Sequence, residues 1–385
     1  MANTITISAL TELLYQSRDI VAREPSGFLQ SVTVNRGSEG VSIGGTVTSH
    51  VTAQPTLNTD HAPAMTVPAG DDSTIAADTM TIGQIARTNI PIKGEVAKQL
   101  ANIGRYGDVI KDLFAQHIRT QVNAIESHCG TVIKNGASRA VGTAATTPFS
   151  SSHALIPQCN QILTDNGAPS DGRRALVLST GAATNLKMLS HIYKVNEAGN
   201  DSVIRRGMLM DIDGVGIRQS AGVASHTAGT GSGYLINGGT LAIGTTGLTI
   251  DTGTGTVLPG DILSFQSDSG NIYVNKTSIT TAAVTLTLNK PGLRVATVDN
   301  RTITIGAGYT GNAMFHPNAV ELVMRPPAMP EGGDAAVERV TLYDEITGLV
   351  FEVAIYRGYG MNYMEFVTYY QAKVWKPEFV ATLLG

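Results

Sequence analysis

One apolar series with helical spacing constrains the fold more than any other feature of the sequence. Its members recur about every 3.6 residues, the spacing that places side chains along one face of an α-helix. They are Ile103, Tyr106, Ile110, Phe114, Ile118, Val122, Ile125, Cys129 and Val132. Gly104 and Gly107 weaken the beginning of the series. We therefore expect Asp108 to cap a helix over residues 109–134 that ends at the Asn-Gly pair of residues 135–136. At about 1.5 Å per residue, it is roughly 40 Å long, enough to run along an entire domain.

A shorter helical pattern precedes it near the N-terminus. Residues 8–23 carry leucine and valine at helical spacing, and Glu24-Pro25 ends the pattern because proline lacks a backbone donor. An isolated helix of this length is marginal in water. It therefore packs either on its own domain or on a neighbouring molecule, and the sequence leaves both open.

Residues 31–90 predict an extended arm. They are rich in glycine and proline, yet alternate like strands at 41–43, 47–51 and 79–87, and they contain no lysine. We interpret them as a two-stranded arm with an irregular tip, which is marginal alone and needs another element beside it. The alternative is a flexible loop, although loops of this length inside compact domains are uncommon and often functional.

The remaining two thirds of the chain mix strands with short helices. Residues 174–179 predict a buried strand and residues 180–192 a helix, and an Asp-Gly turn joins two strand patterns within 208–218. From 223 to 311, Thr, Gly, Val and Ile alternate almost continuously, which indicates a small all-β barrel or sandwich inserted into an α/β domain. Strand patterns follow at 319–324, 339–343, 349–357 and 363–370, and the last three predict a meander.

Composition excludes several classes of function. Charged residues make up only 15% of the 385 residues, and the formal net charge of -4 offers no basic excess for binding nucleic-acid phosphates. Two cysteines cannot form a disulfide framework or a four-thiolate zinc site. The sequence shows no signal-peptide pattern and no apolar run long enough to span a membrane. We therefore expect a protein that is made in the cytosol and kept there, at least at first.

A search for catalytic and metal-binding patterns gives structural explanations instead. Cys129 lies on the apolar helical face, so a packed core thiol explains it better than a pair with His128. Asp211, Asp213 and Gly214 predict a hairpin turn, because the further ligands of a calcium loop are missing. The glycine-rich residues 229–233 predict a linker, residues 151–153 show no activating arrangement for a serine, and residues 316–318 predict a turn. We predict no enzyme activity, no catalytic or metal-binding residue and no cofactor.

The order of these parts resembles one family. A helical N-terminus, an extended arm, a long helix, a domain split by a β-barrel and a closing meander are similar to the major capsid proteins of tailed bacteriophages, which have the Hong Kong 97-type fold. The subgroup with an inserted β-barrel is most similar. Residues 207–220 resemble a glycine-punctuated hairpin of that family, residues 258–265 resemble a Gly-Asp turn of its barrel, and residues 315–327 resemble the strand that follows the barrel.

The resemblance implies an α+β fold of the Hong Kong 97 type, with a spine helix, peripheral and axial domains and an inserted small all-β barrel. By position, the parts are an N-terminal arm (1–30), an extended loop (31–92), the spine helix with the peripheral domain (93–149), the axial domain (150–222 and 312–336), the barrel (223–311), and a peripheral meander with the C-terminus (337–385).

The resemblance also implies a function and partners. The subunits of such a shell form hexamers and pentamers around double-stranded DNA, assembled in the host cytoplasm with a scaffolding protein and a portal, in some cases with a decoration protein. The expected subunit contacts lie on the N-terminal arm and the extended loop: Leu13, Leu14, Val41, Val47, Pro55, Leu57, Asp60 and His61. Some relatives crosslink through a lysine of the extended loop, which residues 31–92 lack, so we expect a non-covalent shell. The alternatives are a β-rich phage adhesin or tail component and an α/β enzyme that carries a barrel.

Overall fold

The computed structural model of the chain describes residues 24–37, 39–52, 63, 65–66, 75–102, 106–193, 211–280, 284–343 and 349–385. The helical pattern predicted over residues 8–23 lies outside these ranges. Of the predicted contact residues, so do Leu13, Leu14, Pro55, Leu57, Asp60 and His61. The helices are α1 (Gly94–Asn102), α2 (Tyr106–Asn135), α3 (Leu155–Asp165), α4 (Thr180–Met188) and α5 (Ser190–Tyr193).

The strands of the described residues belong to four sheets. In chain order they are β1 (Thr33–Arg36), β2 (Thr46–Thr52), β3 (Ile75–Thr81), β4 (Gln84–Lys93), β5 (Arg139–Val141), β6 (Ala175–Leu178), β7 (Gly216–Gln219), β8 (Ser225–His226), β9 (Ser232–Ile236), β10 (Gly247–Thr254), β11 (Ile262–Phe265), β12 (Asp268–Val274), β13 (Thr285–Thr287), β14 (Ile303–Ile305), β15 (Tyr309–Phe315), β16 (Val320–Arg325), β17 (Ala336–Tyr343), β18 (Val350–Gly358), β19 (Met361–Val374) and β20 (Val380–Leu384).

The long helix predicted from the apolar series is α2, which has 30 residues. Its inward face buries Ile110, Phe114, Ile118 and Ile125 completely or almost completely. The predicted start was wrong, because the helix begins at Tyr106 and Asp108 lies inside its first turn. A glycine in the first turn costs about 1 kcal/mol relative to alanine. Burial of two large apolar side chains within the next two turns stabilises the helix by more than this cost.

The long helix packs on a six-stranded sheet. The strand order is β1-β16-β19-β18-β17, and β4 pairs with the first ten residues of β19. Strands β17, β18 and β19 form the predicted antiparallel meander. The ring of Phe114 meets the ring of Phe366 on β19 at 5.5 Å, edge to face. The largest apolar core of the described residues joins α2 to this sheet, and it extends to Phe315 of β15 and Val380 of β20.

A nine-stranded sheet forms the second body of the fold. Its order is β14-β11-β12-β5-β20-β15-β6-β7, and β8 pairs with β15. The predicted strand over 174–179 is β6, and the predicted helix over 180–192 is interrupted at Leu189 between α4 and α5. Strand β20 was not predicted, because its five residues are all buried and apolar except Thr382 and show no alternation. It lies between β5 and β15 in the middle of the sheet.

Residues 229–305 have a core of their own. Strands β9, β10 and β13 form a three-stranded sheet, while β11, β12 and β14 lie at the end of the nine-stranded sheet. Isolated bridges join the two groups, from Leu235 to Thr302 and from Asn275 to Leu288. The side chains between them, among them Tyr234, Leu248 and Tyr273, are completely or almost completely buried.

The predicted arm contains a two-stranded antiparallel sheet, β2 with β3. The single strand expected over 79–87 is in fact two strands, because the chain leaves the arm at residues 82–83 and continues as β4 of the six-stranded sheet. Strand β1 also belongs to that sheet. Within the described residues, the arm therefore consists of the β2–β3 hairpin and the segment that leads into it.

Two predicted turns are confirmed. Asp213 and Gly214 have φ values of +56° and +69° between bridged residues 212 and 215, which is a tight hairpin turn. His316 begins a short 3-10 turn, and its side chain accepts a hydrogen bond from the Asn318 backbone N–H. In the part of the chain that the structure describes, no helix is both long enough and apolar enough to cross a membrane.

Candidate assembly surfaces

The β2–β3 hairpin has an inward face that packs on its own molecule. Met80 and Ile82 are buried against Val323 of β16, and the predicted contact residues Val41 and Val47 pack around them, only partly exposed. The alternation of β2 and β3 places Val47 opposite Met80 on this face. The two valines therefore fix the base of the hairpin to the six-stranded sheet.

Lys373 holds the same base through polar contacts. Its ammonium group lies 2.5 Å from the Asp78 carboxylate and donates to the Thr79 carbonyl at 2.6 Å. The ammonium also lies 4.5 Å from the centre of the Trp375 ring, at cation–π distance. Trp375 in turn donates its indole N–H to Glu321 of β16 at 2.7 Å.

The outward face of the hairpin is exposed and carries no charged side chain. Its cross-strand pairs are Thr46 with Thr81, Thr48 with Thr79, His50 with Ala77, and Thr52 with Ile75. Ile75 is 68% exposed. A two-stranded sheet with an open apolar and threonine-rich face is marginal in water, so this face is suited to burial against another surface.

A cleft of about 390 Å³ separates the hairpin from the edge of the six-stranded sheet. Hairpin residues 49–52 form one wall, and Val320, Glu321 and Trp375 lie on the other. The contacts of Met80, Ile82 and Lys373 therefore fix the base of the hairpin to the body, while the cleft lies beside residues 49–52. The sequence gives no signal for this separation, since it depends on how two distant segments approach each other.

A second exposed surface lies at the turn between β18 and β19. Tyr359 at this turn is fully exposed, and the neighbouring Gly360 accepts a hydrogen bond from the Gly94 N–H at the start of α1. Val96 on α1 is 45% exposed. Exposed tyrosines are common anchors of protein interfaces.

A third exposed surface lies on residues 241–244 and 295–298. The Leu241 and Thr297 backbones are bridged, and the side chains of Ile243, Val295 and Val298 project into solvent. These three exposed apolar side chains lie on the two segments that the bridge joins.

Glu126 of α2 fixes the described beginning of the chain. Its carboxylate accepts hydrogen bonds from the N–H groups of Phe28 and Leu29 at 2.8 and 2.9 Å, and from the Ser220 hydroxyl at 2.6 Å. Burial raises the pKa of Glu126, and the three donors oppose that rise. Sequence analysis missed this residue, because a glutamate in a long amphipathic helix usually faces solvent.

The two cysteines are packed in the core, as predicted for Cys129. Both are completely buried, and burial raises the pKa of the Cys159 thiol to about 12 and that of Cys129 further. The His128 ring points to Tyr370 instead, edge to face at 5.3 Å. In the described residues, no three His, Cys, Asp or Glu side chains come close enough together to hold a metal ion.

Comparison with solved structures relates this geometry to known proteins. The chain matches a protein in the capsid of the cyanophage P-SCSP1u with a TM-score of 0.51 and 12% sequence identity, over 94% of this chain and 88% of that one. The chain has the fold of a tailed-phage major capsid protein.

Other solved structures match over similar lengths. A Mycobacterium phage Che8 protein has 14% identity and a TM-score of 0.47, over 92% of this chain and 90% of that one. A virus-like particle protein from Pyrococcus furiosus has 9% identity and a TM-score of 0.45, over 97% and 98%. No protein-family model matches the sequence, and no curated protein matches it significantly.

Proposed function

We propose that this chain is the structural coat subunit of an icosahedral phage head of the Hong Kong 97 type. The observation that carries the proposal is the capsid fold, matched over 94% of the chain. Hexamers and pentamers of the subunit tile the shell around double-stranded DNA, and the subunit has no enzymatic role. The low charge of the chain supports this role, because it limits repulsion between many closely packed copies.

In this proposal, each body of the fold has its place in the subunit. The six-stranded sheet with α2 is the peripheral domain, and α2 is its spine helix. The nine-stranded sheet with α3 and α4 is the axial domain. Residues 223–311 are the inserted barrel, which is supported by the ring of six strands and two bridges around a separate core.

The hairpin and the N-terminal arm interlock the subunits. Val41 and Val47 pack on the inward side of the hairpin and hold it in position, and the threonine-rich outward face lies on a neighbouring copy. The other proposed contacts are Leu13, Leu14, Pro55, Leu57, Asp60 and His61. Interfaces of this kind typically bury more than about 2,000 Å², which a thin hairpin achieves only across a neighbour.

The shell is held together without covalent bonds, since residues 31–92 contain no lysine. Denaturing gels of mature particles are expected to show a single band at the mass of the 40.4 kDa chain. A ladder of oligomers in those gels would overturn this part of the proposal. A scaffolding protein, a portal and, in some shells, a decoration protein are the expected partners.

Electron microscopy of the purified chain tests the proposal directly. We expect shells or isolated capsomers with the complete chain. A variant in which a Gly-Gly turn replaces residues 50–77 keeps the buried Met80 and Ile82 anchor and is expected to remain folded but not to form shells. A compact monomer at high concentration would contradict the proposal.

The alternative function is a β-rich adhesin or tail component. The strand-rich region 223–311 favours it, whereas α2 and the match to a capsid protein argue against it. Filaments or isolated trimers in the same micrographs would favour the alternative.

A further inference from the structure

Three ionisable side chains contact one another in a buried row where α2 meets the region 229–305. The Lys134 ammonium lies 3.2 Å from Nδ1 of His226, and Nε2 of His226 lies 2.6 Å from the Asp261 carboxylate. Asp261 is completely buried, and Lys134 and His226 are 4% and 9% exposed. Three separate segments of the chain therefore meet through ionisable side chains in the interior.

The surroundings leave these groups little room to move. A Cβ on Gly311 would lie 2.6 Å from the Lys134 side chain, and one on Gly229 would overlap the Thr256 carbonyl. The Tyr309 ring lies 5.1 Å from the His226 ring and 5.9 Å from the Lys134 ammonium. Asp261 also accepts hydrogen bonds from the N–H groups of Leu258 and Gly229. The three side chains are thus closely packed, and the Asp261 carboxylate is also hydrogen bonded to the backbone.

The chemistry of the donors fixes where the protons are. An ammonium group can only donate, so Nδ1 of His226 must accept from Lys134. The hydrogen of the ring then lies on Nε2 and is donated to Asp261, and the imidazole is neutral. The arrangement has one cation, one neutral ring and one anion in sequence, and its net charge is zero.

We propose that Lys134, His226 and Asp261 form an acid-sensitive lock that fixes the region 229–305 to the C-terminal end of α2. A second proton on His226 would place an N–H on Nδ1 and point it at the Lys134 ammonium, 3.2 Å away. Two positive donors cannot face each other in a packed interior, so the contact between Lys134 and His226 breaks. Asp261 can balance only one of the two cations, and the further titratable group that packs against the ring is Tyr309 on β15.

Burial supports the direction of this effect. It lowers the pKa of Lys134, although the Asp261 carboxylate opposes that shift. Desolvation therefore already disfavours the charged form of Lys134 in the folded protein, and a second positive charge beside it is a further energetic cost. The closed lock is expected near neutral pH, and the open lock in acid.

Amide hydrogen exchange of the full-length chain between pH 7.5 and pH 5 tests the lock. After correction for the chemical exchange rate, exchange in residues 225–236 and 258–261 should rise about tenfold or more in acid. In the His226→Gln variant, the glutamine can accept a hydrogen bond from Lys134 and donate one to Asp261, but it does not titrate. Amide exchange of this variant should therefore not change between pH 7.5 and pH 5. His50→Gln, on the exposed hairpin, is the matched control and should keep the response of the original chain.

Lys134→Met provides a second test if His226→Gln does not fold. It removes the like charge, so acid should no longer loosen the region and His226 can pair with Asp261 as a cation. If amide exchange of the original chain does not change between pH 7.5 and pH 5, the proposed lock is wrong. An acid response in His226→Gln or Lys134→Met equal to that of the original chain would also overturn it. These outcomes are independent of whether the subunit forms shells.

Discussion

At the scale of the residue, a few buried polar side chains connect segments that are far apart in sequence. Glu126 joins residues 28–29 and Ser220 to the middle of α2. The partly exposed Glu24 also pairs with Arg119 on the same helix. The apolar pattern identifies the helix, but these side chains decide what lies across it.

Removing the Glu126 carboxylate should destabilise the whole subunit. Glu126→Ala leaves two buried N–H groups and one hydroxyl without an acceptor, and we expect a loss of about 2–5 kcal/mol in the free energy of unfolding. Urea denaturation measures this loss. Glu95→Ala on the exposed helix α1 is the control and should change stability by less than about 0.5 kcal/mol. Equal stability of the two variants would contradict the proposed role of Glu126.

Asp334 should make stability depend on pH in strong acid. A hydrogen bond from Arg339, together with the Ala336 N–H, lowers its pKa from 3.8 to about 2. Because the folded-state pKa is lowered, its contribution is complete above the usual pKa and is lost as the pH falls toward 2. Acid unfolding monitored by circular dichroism should therefore become less steep between pH 4 and pH 2 in Asp334→Asn, and an unchanged profile would contradict this.

At the scale of the element, the β2–β3 hairpin has two faces with different roles. Its inward face is fixed by Met80, Ile82 and the Lys373 contacts. Its outward face has threonine at five of the eight paired positions and no charged side chain. The first face explains why the hairpin keeps its place, and the second explains why we assign it to contacts between subunits.

A charge on the outward face should block assembly without unfolding the subunit. Thr48→Asp keeps an exposed position on a strand, so we expect little change in the thermal midpoint, but burial of the carboxylate against a neighbour opposes assembly. Sedimentation velocity measures the fraction of assembled protein. The matched control is Thr249→Asp on β10, an equally exposed strand threonine, which should assemble normally. Normal assembly of Thr48→Asp would remove the hairpin face from the proposed interface.

At the scale of the whole molecule, the region 229–305 has its own core and a three-stranded sheet, but its other three strands belong to the nine-stranded sheet. Strand β12 pairs with β5, which in turn pairs with β20, so the nine-stranded sheet runs through the region into the rest of the subunit. Lys134 and Asp261 cross the same boundary. The region 229–305 and the rest of the chain are therefore expected to unfold together.

Excision of residues 229–307 should destabilise the remaining chain. Residues 228 and 308 lie close together, so a short Gly-Ser linker can replace residues 229–307. The excised chain keeps Lys134 and His226 but loses Asp261, and it leaves β5 with an open edge. We therefore expect aggregation or a lower urea midpoint. Adding Lys134→Met should recover part of the loss. An excised chain as stable as the original would show that the region is an independent domain.

Local pattern in the sequence determined α2, β6, the meander, the strand-rich region and the two turns. In each case the signal lies in the side chains of the element itself, through helical spacing, alternation or turn residues. The Asp213-Gly214 turn was predictable because few residues tolerate positive φ at two successive positions.

Only the tertiary structure decided how these elements combine. Three features depend on contacts between residues far apart in sequence: the burial of β20 in the middle of a sheet, the division of residues 79–87 between two sheets, and the contacts of His226 with Lys134 and Asp261. No local preference encodes such contacts, because the free energy that selects them comes from packing and desolvation of surfaces that form only when the chain is folded.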